Sequence, residues 1–137
     1  MKAFGPERGA PMRGIDTNVL IRLIVRDDPT QVEKAEAFVA SGAWVSQLVL
    51  AETVWVLESV YGISRPRIAT VVDMLLEHDR LTLQDEDVIR GAHSAFERDI
   101  SVGFTDCLII EAARKAGHLP VGTFDKAMSR LEGGRGL

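Results

Sequence analysis

Four short apolar runs, separated by longer stretches with helical periodicity, constrain the fold of this chain most. The runs occupy residues 12–15, 43–46, 80–83 and 119–124. Between them apolar side chains recur at helical spacing, as at Val32, Ala35 and Val39. Parallel neighbouring strands need long connections, which helices can supply, so this pattern predicts an α/β fold with a mostly parallel sheet.

The helical stretches have recognisable beginnings and ends. The pattern predicts helices over residues 17–25, 30–41, 47–61, 66–77, 85–99 and 104–116, and a last turn or two within 125–131. Thr17 is available to cap the first helix. The stretch 47–61 is apolar almost all the way round, which predicts a buried helix, and we expect Trp44 and Trp55 to pack in the core.

The size and composition fit one globular domain. The chain has 137 residues, of which 46% are hydrophobic and 26% charged. We expect a flexible lead at 1–11, a domain at 12–132 and a flexible, glycine-rich tail at 133–137. We consider Met12, just before the first apolar run, a candidate for an alternative or the true start.

Several classes of protein are disfavoured. Cys107 is the single cysteine, so an intramolecular disulfide is excluded. The lead lacks the apolar core of a signal peptide, and the longest apolar neighbourhood, 48–57, is too short to span a bilayer and contains Glu52. We therefore expect a cytoplasmic protein that is not in a membrane.

Two acids follow predicted strands directly. Asp16 ends the first apolar run and Asp125 ends the last one. Because ligands of such a fold bind at the carboxyl ends of parallel strands, both acids are candidate site residues. A helix-capping role for either remains open.

Two further acids lie in apolar surroundings. Glu52 lies in an apolar stretch with no lysine or arginine within helical reach, where a carboxylate is costly unless it is paired, protonated or bound to metal. Asp106 lies in the first turn of an apolar helix. A narrow solvent-facing stripe for Glu52 and a helix-dipole role for Asp106 remain open.

If these four acids meet, they predict a metal site. Each pair of carboxylates at about 4 Å repels by about 4 kcal/mol at an effective dielectric of 20, and a divalent cation removes this cost. A ligand set of oxygen atoms favours magnesium, with manganese as a substitute, over zinc.

Four segments together resemble the acidic motifs of PIN-domain proteins. They are Gly14–Leu20, Leu50–Glu52, Phe104–Ile109 and Thr123–Asp125, in the family's order and spacing. The chain is most similar to the VapC-like toxin ribonucleases of bacterial toxin–antitoxin pairs, over nearly all of Met12 to Leu131.

The resemblance implies both a fold and an activity. The fold would be a three-layer α/β/α sandwich, PIN-like and Rossmann-like, with a central, mostly parallel sheet of four to five short strands. The activity would be magnesium-dependent endoribonuclease cleavage of structured or translation-related RNA, such as tRNA or rRNA, which inhibits translation. The resemblance also implies a homodimer and a cognate antitoxin that enters the active-site groove.

The resemblance assigns roles to further residues. The four acids would be both catalytic and metal-binding, and Asn18 would orient the first acid or a water on the metal. Thr105 and Thr123 would support the ligands through hydrogen bonds. Many relatives carry an additional acid three residues before the helix acid, where this sequence has Gly103, so a second metal would be weakly held.

Contacts to RNA are predicted at two arginines. Arg22 and Arg26 lie one turn apart on the helix after Asp16 and are the preferred phosphate contacts, although the net charge of −4 argues against a general phosphate-binding surface. A solvated helix face is the alternative for both.

Two other functions remain open. One is a PIN-like module that binds RNA or a partner protein with weak catalysis or none. The other is a phosphatase or phospho-acceptor domain with Asp16 as nucleophile, which is disfavoured because Asn18 stands where a second acid would be needed and no later lysine partner is evident.

Overall fold

The computed structural model describes residues 12–137, so the predicted lead at 1–11 lies outside the described residues. This part of the chain forms two compact units, residues 12–84 and 85–137. The first contains β1 (Arg13–Gly14), α1 (Thr17–Val25), α2 (Pro29–Val39), β2 (Ala43–Val45), α3 (Gln47–Ser59), α4 (Arg65–Glu77) and β3 (Leu81–Leu83). The second contains α5 (Glu86–Arg98), α6 (Phe104–Ala116), β4 (Val121–Thr123), α7 (Lys126–Ser129) and β5 (Gly134–Gly136).

The first unit is built on a three-stranded parallel sheet. The strand order is β1-β2-β3, with Gly14 opposite Trp44 and Trp44 opposite Thr82. Helices α1 and α2 connect β1 to β2, and α3 and α4 connect β2 to β3. The long connections that parallel pairing requires are therefore helical, as the sequence pattern predicts.

In the first unit, the side chains that precede three of the helices fix where these helices begin. Asp16, Asp28 and Ser46 precede α1, α2 and α3, and each accepts a hydrogen bond from the backbone N–H three residues later. The predicted cap of α1 is wrong by one residue, because Asp16 caps the helix and Thr17 is its first residue.

Helix α3 is buried on one face only. Leu50, Val54 and Leu57 are almost fully buried, whereas Leu48 is 77% exposed and Trp55 is 63% exposed. The prediction of a helix buried all round is therefore wrong, and so is the prediction of Trp55 in the core; Trp44 is 38% exposed. Hydrophobic periodicity predicts which side chains are apolar but does not show whether another element covers them.

The second unit is built on two packed helices. Phe96 of α5 and Phe104 of α6 meet edge to face with ring centroids 5.8 Å apart. Lys115, near the end of α6, donates hydrogen bonds to Asp85 and Asp87 at 3.0 Å each. The bond from Lys115 lowers the pKa of Asp87.

The glycine-rich segment near residue 137 has regular structure. We expected residues 133–137 to be a flexible tail, but Gly134–Gly136 forms β5, which pairs in parallel with β4. A Cβ on Gly134 would lie 2.3 Å from the carbonyl oxygen of Met128, so only glycine fits there. The glycines that indicated disorder instead permit close packing of the backbone.

The predicted α/β class with parallel strands is confirmed. Within residues 12–137 the five strands are short and all pair in parallel, three in the sheet of the first unit and two in that of the second. None of the helices in this range combines the length and the hydropathy needed to cross a bilayer.

Candidate active site

Asp16 lies where the chain leaves β1 and enters α1. Its Oδ1 accepts a hydrogen bond of 3.0 Å from the N–H of Val19, and the residue is exposed to solvent. The capping role that the sequence left open is therefore real. A carboxylate has two oxygen atoms with about four lone-pair positions, so a cap of this kind leaves Asp16 able to bind a cation as well.

Glu52, in the second turn of α3, is joined to α1 by a hydrogen bond. The hydroxyl of Thr17, a buried residue, donates to Glu52 Oε1. Glu52 itself is exposed, so the expectation of a carboxylate in a costly apolar environment is wrong: it lies on the solvent-facing side of α3. Because Thr17 follows Asp16 directly, this bond brings the Glu52 carboxylate to the beginning of α1.

In the second unit, Asp106 and Asp125 interact electrostatically. Asp106 lies in the first turn of α6 and is half-buried; burial, and secondarily the negative charge of Asp125, raise the pKa of Asp106. Asp125 is exposed and caps α7 by accepting a hydrogen bond of 2.8 Å from the N–H of Met128. The pair therefore has mutual repulsion that a cation would relieve.

The three predicted supporting residues occupy different environments. Thr123, the last residue of β4, accepts a hydrogen bond of 3.0 Å at its hydroxyl from the N–H of Asp125, which fixes the turn into α7. Thr105 and Asn18 are exposed, one residue before Asp106 and two residues after Asp16. Of these three residues, only Thr123 has a contact within residues 12–137 that could orient an acid.

The two predicted RNA-contacting arginines are engaged within the first unit. Arg22 donates to Asp27 at 2.9 Å, to Gln31 at 2.6 Å and to Tyr61 at 3.2 Å, and the bond with Tyr61 raises its pKa. Arg26 forms a salt bridge of 3.0 Å with Glu36. Both guanidinium groups thus have protein partners that a phosphate would have to share or replace.

The donor set fits a hard divalent cation. Carboxylate and hydroxyl oxygens predominate around Asp16 and Glu52 in the first unit and around Asp106 and Asp125 in the second, and oxygen is the ligand that magnesium and manganese prefer. Burial, and secondarily the charge of Asp125, raise the pKa of Asp106, and a bound cation would offset both effects. Within residues 12–137 the side chains as they stand form no cluster of three or more histidine, cysteine, aspartate or glutamate residues around a metal position.

Position 103, where the resemblance predicts an additional acid, has open space around it. Gly103 directly precedes α6, and a Cβ there would meet no atom within 4 Å. Its φ of −71° is one that any residue adopts. A side chain at this position would therefore be accommodated without rearrangement.

Sequence reasoning missed the contact between Thr17 and Glu52. The contact depends on the packing of α1 against α3, which joins residues 35 positions apart. The available signal was the threonine beside Asp16, which we expected to act as a helix cap. When the preceding aspartate caps the helix, the hydroxyl of the threonine can donate a hydrogen bond to another residue.

The chain was also compared with known proteins. The family model described as PIN domain matches residues 15–134, which include all four acids. No curated protein and no solved structure matches the chain. Since the family model spans most of the sequence, this chain belongs to the PIN domain family.

Proposed function

We propose that this PIN-domain protein is a metal-dependent endoribonuclease whose active site is formed by Asp16, Glu52, Asp106 and Asp125. PIN domains are generally nucleases and generally use divalent metals. The observation that carries the proposal is the interacting pair of Asp106 and Asp125 at positions of the family's acids. In this proposal Asp16 and Glu52 take part in the same reaction as Asp106 and Asp125. The order of the acidic motifs along the sequence supports this.

The residues have distinct roles in the proposed reaction. The four carboxylates would hold Mg²⁺ or Mn²⁺, which when bound supplies a Lewis acid that activates water and offsets charge on the phosphate. Thr17 fixes one oxygen of Glu52, and Thr123 fixes the backbone of Asp125. Asn18 and Thr105 would orient water or a ligand. No side chain is needed as a nucleophile.

The test is RNA cleavage by the purified protein with Mg²⁺ or Mn²⁺, compared with chelator. Asp16→Asn and Asp125→Asn retain a capping side chain and so separate metal binding from helix capping. We expect these variants, Glu52→Gln and Asp106→Asn to lose more than about 100-fold in rate, which exceeds a typical loss from a supporting residue.

Asp73→Asn is the matched control, since Asp73 is an exposed carboxylate on α4 outside the proposed site. Its activity should equal that of the unchanged protein. Cleavage that persists undiminished in the four site variants, with unchanged circular dichroism, would refute the proposal.

More specifically, we propose that the protein is the toxin of a toxin–antitoxin pair. The similarity of its acidic motifs to those of VapC-like proteins supports this proposal. In this proposal the protein acts in the cytoplasm as a homodimer, cleaves tRNA or rRNA and is neutralised by a cognate antitoxin. Induced expression should arrest bacterial growth, and sequencing of RNA ends should reveal one recurrent cut. Unimpaired growth despite active enzyme would contradict the toxin assignment.

A binding module without catalysis is the second candidate. The observation that favours it is that Asp16 and Asp125 cap helices and Glu52 is exposed, so each acid has a structural explanation. Stabilisation of the protein by Mn²⁺ without turnover of any RNA would support this reading over the nuclease.

A further inference from the structure

An exposed phenylalanine lies directly beside one of the proposed catalytic acids. Phe124 occupies the turn between β4 and α7, immediately before Asp125, and is 85% exposed. The other two phenylalanines of the second unit, Phe96 and Phe104, are each 1% exposed and pack on one another. Single exposed apolar residues are common on protein surfaces, so the feature that needs a reason is the position of this ring beside an acid.

The turn that carries Phe124 is held by hydrogen bonds on both sides. The hydroxyl of Thr123 accepts a bond of 3.0 Å from the N–H of Asp125, and the carbonyl of Thr123 accepts one of 3.0 Å from the N–H of Leu137. Asp125 accepts a further bond of 2.8 Å from the N–H of Met128. Because the backbone is fixed and a phenylalanine has only two side-chain torsions, a ligand that covers the ring loses little entropy in ordering it.

The segment around this ring carries positive charge that the chain does not neutralise. Lys126 begins α7, Arg130 directly follows that helix, and Arg135 lies in β5 opposite Gly122. The three cations are exposed, and within residues 12–137 their side chains have no hydrogen-bond or ion-pair partner. Because α7 packs on both β4 and β5, the ring and the cations belong to one small substructure.

This composition indicates the class of ligand. The centre of a protein–protein interface is depleted in charged residues. An aromatic ring among cations is instead typical of a surface that binds nucleic acid, where the ring stacks on a base and the cations pair with phosphates. A polynucleotide carries a flat ring and an anion in every repeating unit, and so matches both parts of this surface.

The chemistry of phenylalanine determines which bases it can favour. Its side chain has no hydrogen-bond donor or acceptor, so it cannot read the edge of a base. Preferences that arise from stacking follow stacking strength instead. The two fused rings of a purine overlap the phenyl ring over a larger area than the single ring of a pyrimidine, so this ring favours adenine and guanine equally over cytosine and uracil.

We infer that Phe124 stacks on one base of the bound RNA beside the cut and favours a purine at that position. This inference rests on the proposed nuclease function and adds to it a residue that determines specificity. Lys126, two residues after the ring, pairs with a phosphate of the same strand.

The test is a cycle that combines protein variants with RNAs that lack one base. Binding of short fluorescent RNAs is measured by anisotropy in chelator, where no turnover occurs, and each nucleotide in turn is made abasic. Stacking of one base on an aromatic ring contributes about tenfold to affinity. Phe124→Leu should therefore bind intact RNA about tenfold more weakly, and one abasic RNA should bind the unchanged protein with the same loss. The two changes together should cost no more than either alone.

Three further variants serve as controls. Phe124→Trp keeps an aromatic ring and should retain the affinity. Ile100→Ala removes another exposed apolar side chain of the second unit, 83% exposed, and should change nothing. Lys126→Gln should reduce the slope of log affinity against log salt by about 0.7, whereas Phe124→Leu should leave this slope unchanged because it removes no charge. A loss in Phe124→Leu that is equal on every abasic RNA would overturn the inference, since the ring would then contact no base.

Cleavage assays with Mg²⁺ separate this inference from the proposed function. Phe124→Leu should lose the preference for a purine at the stacked position and raise KM more than it lowers kcat. A protein that cleaves RNA with the same KM and base preference in Phe124→Leu would overturn the inference and leave the function standing. A protein that never cleaves RNA but shows the cycle would overturn the function and support Phe124 as an RNA contact.

Discussion

Asp16 and Asp125 have the same local geometry, although they lie more than a hundred positions apart. Each ends a connection from a strand, and each accepts a hydrogen bond from the N–H three residues later. Capping and metal binding use different lone pairs of one carboxylate, so residue type and position favour both roles equally. Sequence alone could identify these acids but could not choose between the roles.

Other properties of single residues depend on packing between distant segments. The sequence surrounds Glu52 with apolar residues, yet its side chain is exposed because it lies on the side of α3 opposite to Leu50 and Val54. Its bond from Thr17 requires α1 and α3 to be adjacent. Neither fact is encoded in local spacing.

Asp106→Asn should stabilise the protein in chelator at neutral pH while abolishing cleavage. The folded-state pKa of Asp106 is raised, mainly by burial, so ionisation of this group disfavours the folded state. Below the ordinary aspartate pKa of about 3.9 the group is protonated in both states and the variant gains nothing. The advantage of asparagine appears as the pH rises above the ordinary aspartate pKa, is complete once the pH has passed the raised folded-state pKa, and then stays constant.

Thermal unfolding of both proteins across this pH range checks the prediction. An equal midpoint difference in acid and at neutral pH would contradict it.

Thr53→Val should stabilise the fold. The Thr53 hydroxyl is fully buried and has no hydrogen-bond partner within residues 12–137. Valine has nearly the same shape, so the change removes an unsatisfied polar group worth about 1–3 kcal/mol without leaving a cavity. The urea midpoint should rise at an unchanged slope, and Thr53→Ser should not reproduce the gain. A lower midpoint for the valine variant would mean that the hydroxyl has a stabilising role.

At the scale of elements, helices are predicted better than strands and termini. The periodicity gives α1 and α6 with their observed bounds, because both helices have one apolar face and clear stop signals. The strands have two or three residues, shorter than the apolar runs that predict them, since hydrogen-bond pairing ends before the apolar pattern does. The sequence pattern does not predict β5, because a glycine-rich segment indicates flexibility. Only the position of the neighbouring backbone shows that glycine is needed there for close packing.

Gly134→Ala should destabilise the second unit. The added Cβ would meet the Met128 carbonyl at 2.3 Å, and backbone cannot move away as a side chain can. A cost of about 1–3 kcal/mol is expected from such overpacking. Gly122→Ala on β4 is the control, since its Cβ would make an ordinary contact of 3.4 Å with Leu137. Chemical denaturation that gives the two variants equal stability would contradict this account.

Gly103→Asp should strengthen metal binding. Position 103 has open space around it and precedes α6, so the new carboxylate would both cap the helix and add a ligand near Asp106. Gly103→Asn supplies the cap without the charge. Both variants should gain a few tenths of a kcal/mol from the cap. Only the aspartate variant should lower the Mn²⁺ concentration that half-saturates cleavage, and an equal effect of asparagine would refute the ligand role.

At the scale of the whole molecule, the sequence order of the four acids was more informative than the composition. A net charge of −4 argues against a general phosphate-binding surface and gives no location for a site. The acids are divided equally, Asp16 and Glu52 in residues 12–84 and Asp106 and Asp125 in residues 85–137. The family match covers residues 15–134 and so includes parts of both units, which supports one function for the two.

The proposed function predicts that divalent metal stabilises the chain and that this gain depends on both Asp16 and Asp106. An ion at 100 times its dissociation constant adds about 2.7 kcal/mol to the free energy of unfolding. If both acid pairs hold one ion, Asp16→Asn and Asp106→Asn should each remove most of this gain, and the double variant should lose no more. Additive losses, measured by thermal unfolding with and without Mn²⁺, would indicate independent sites.

The pairing of β5 with β4 has a consequence for genetics. The N–H of Leu137 bonds to the carbonyl of Thr123, and the hydroxyl of Thr123 holds the turn that carries Asp125. In a screen for cells that survive expression of the protein, which tests the toxin assignment proposed above, inactivating changes should therefore also occur in residues 133–137, which contain no acid and no nucleophile. A search of such a screen that considered only changes at reactive side chains would overlook these alleles.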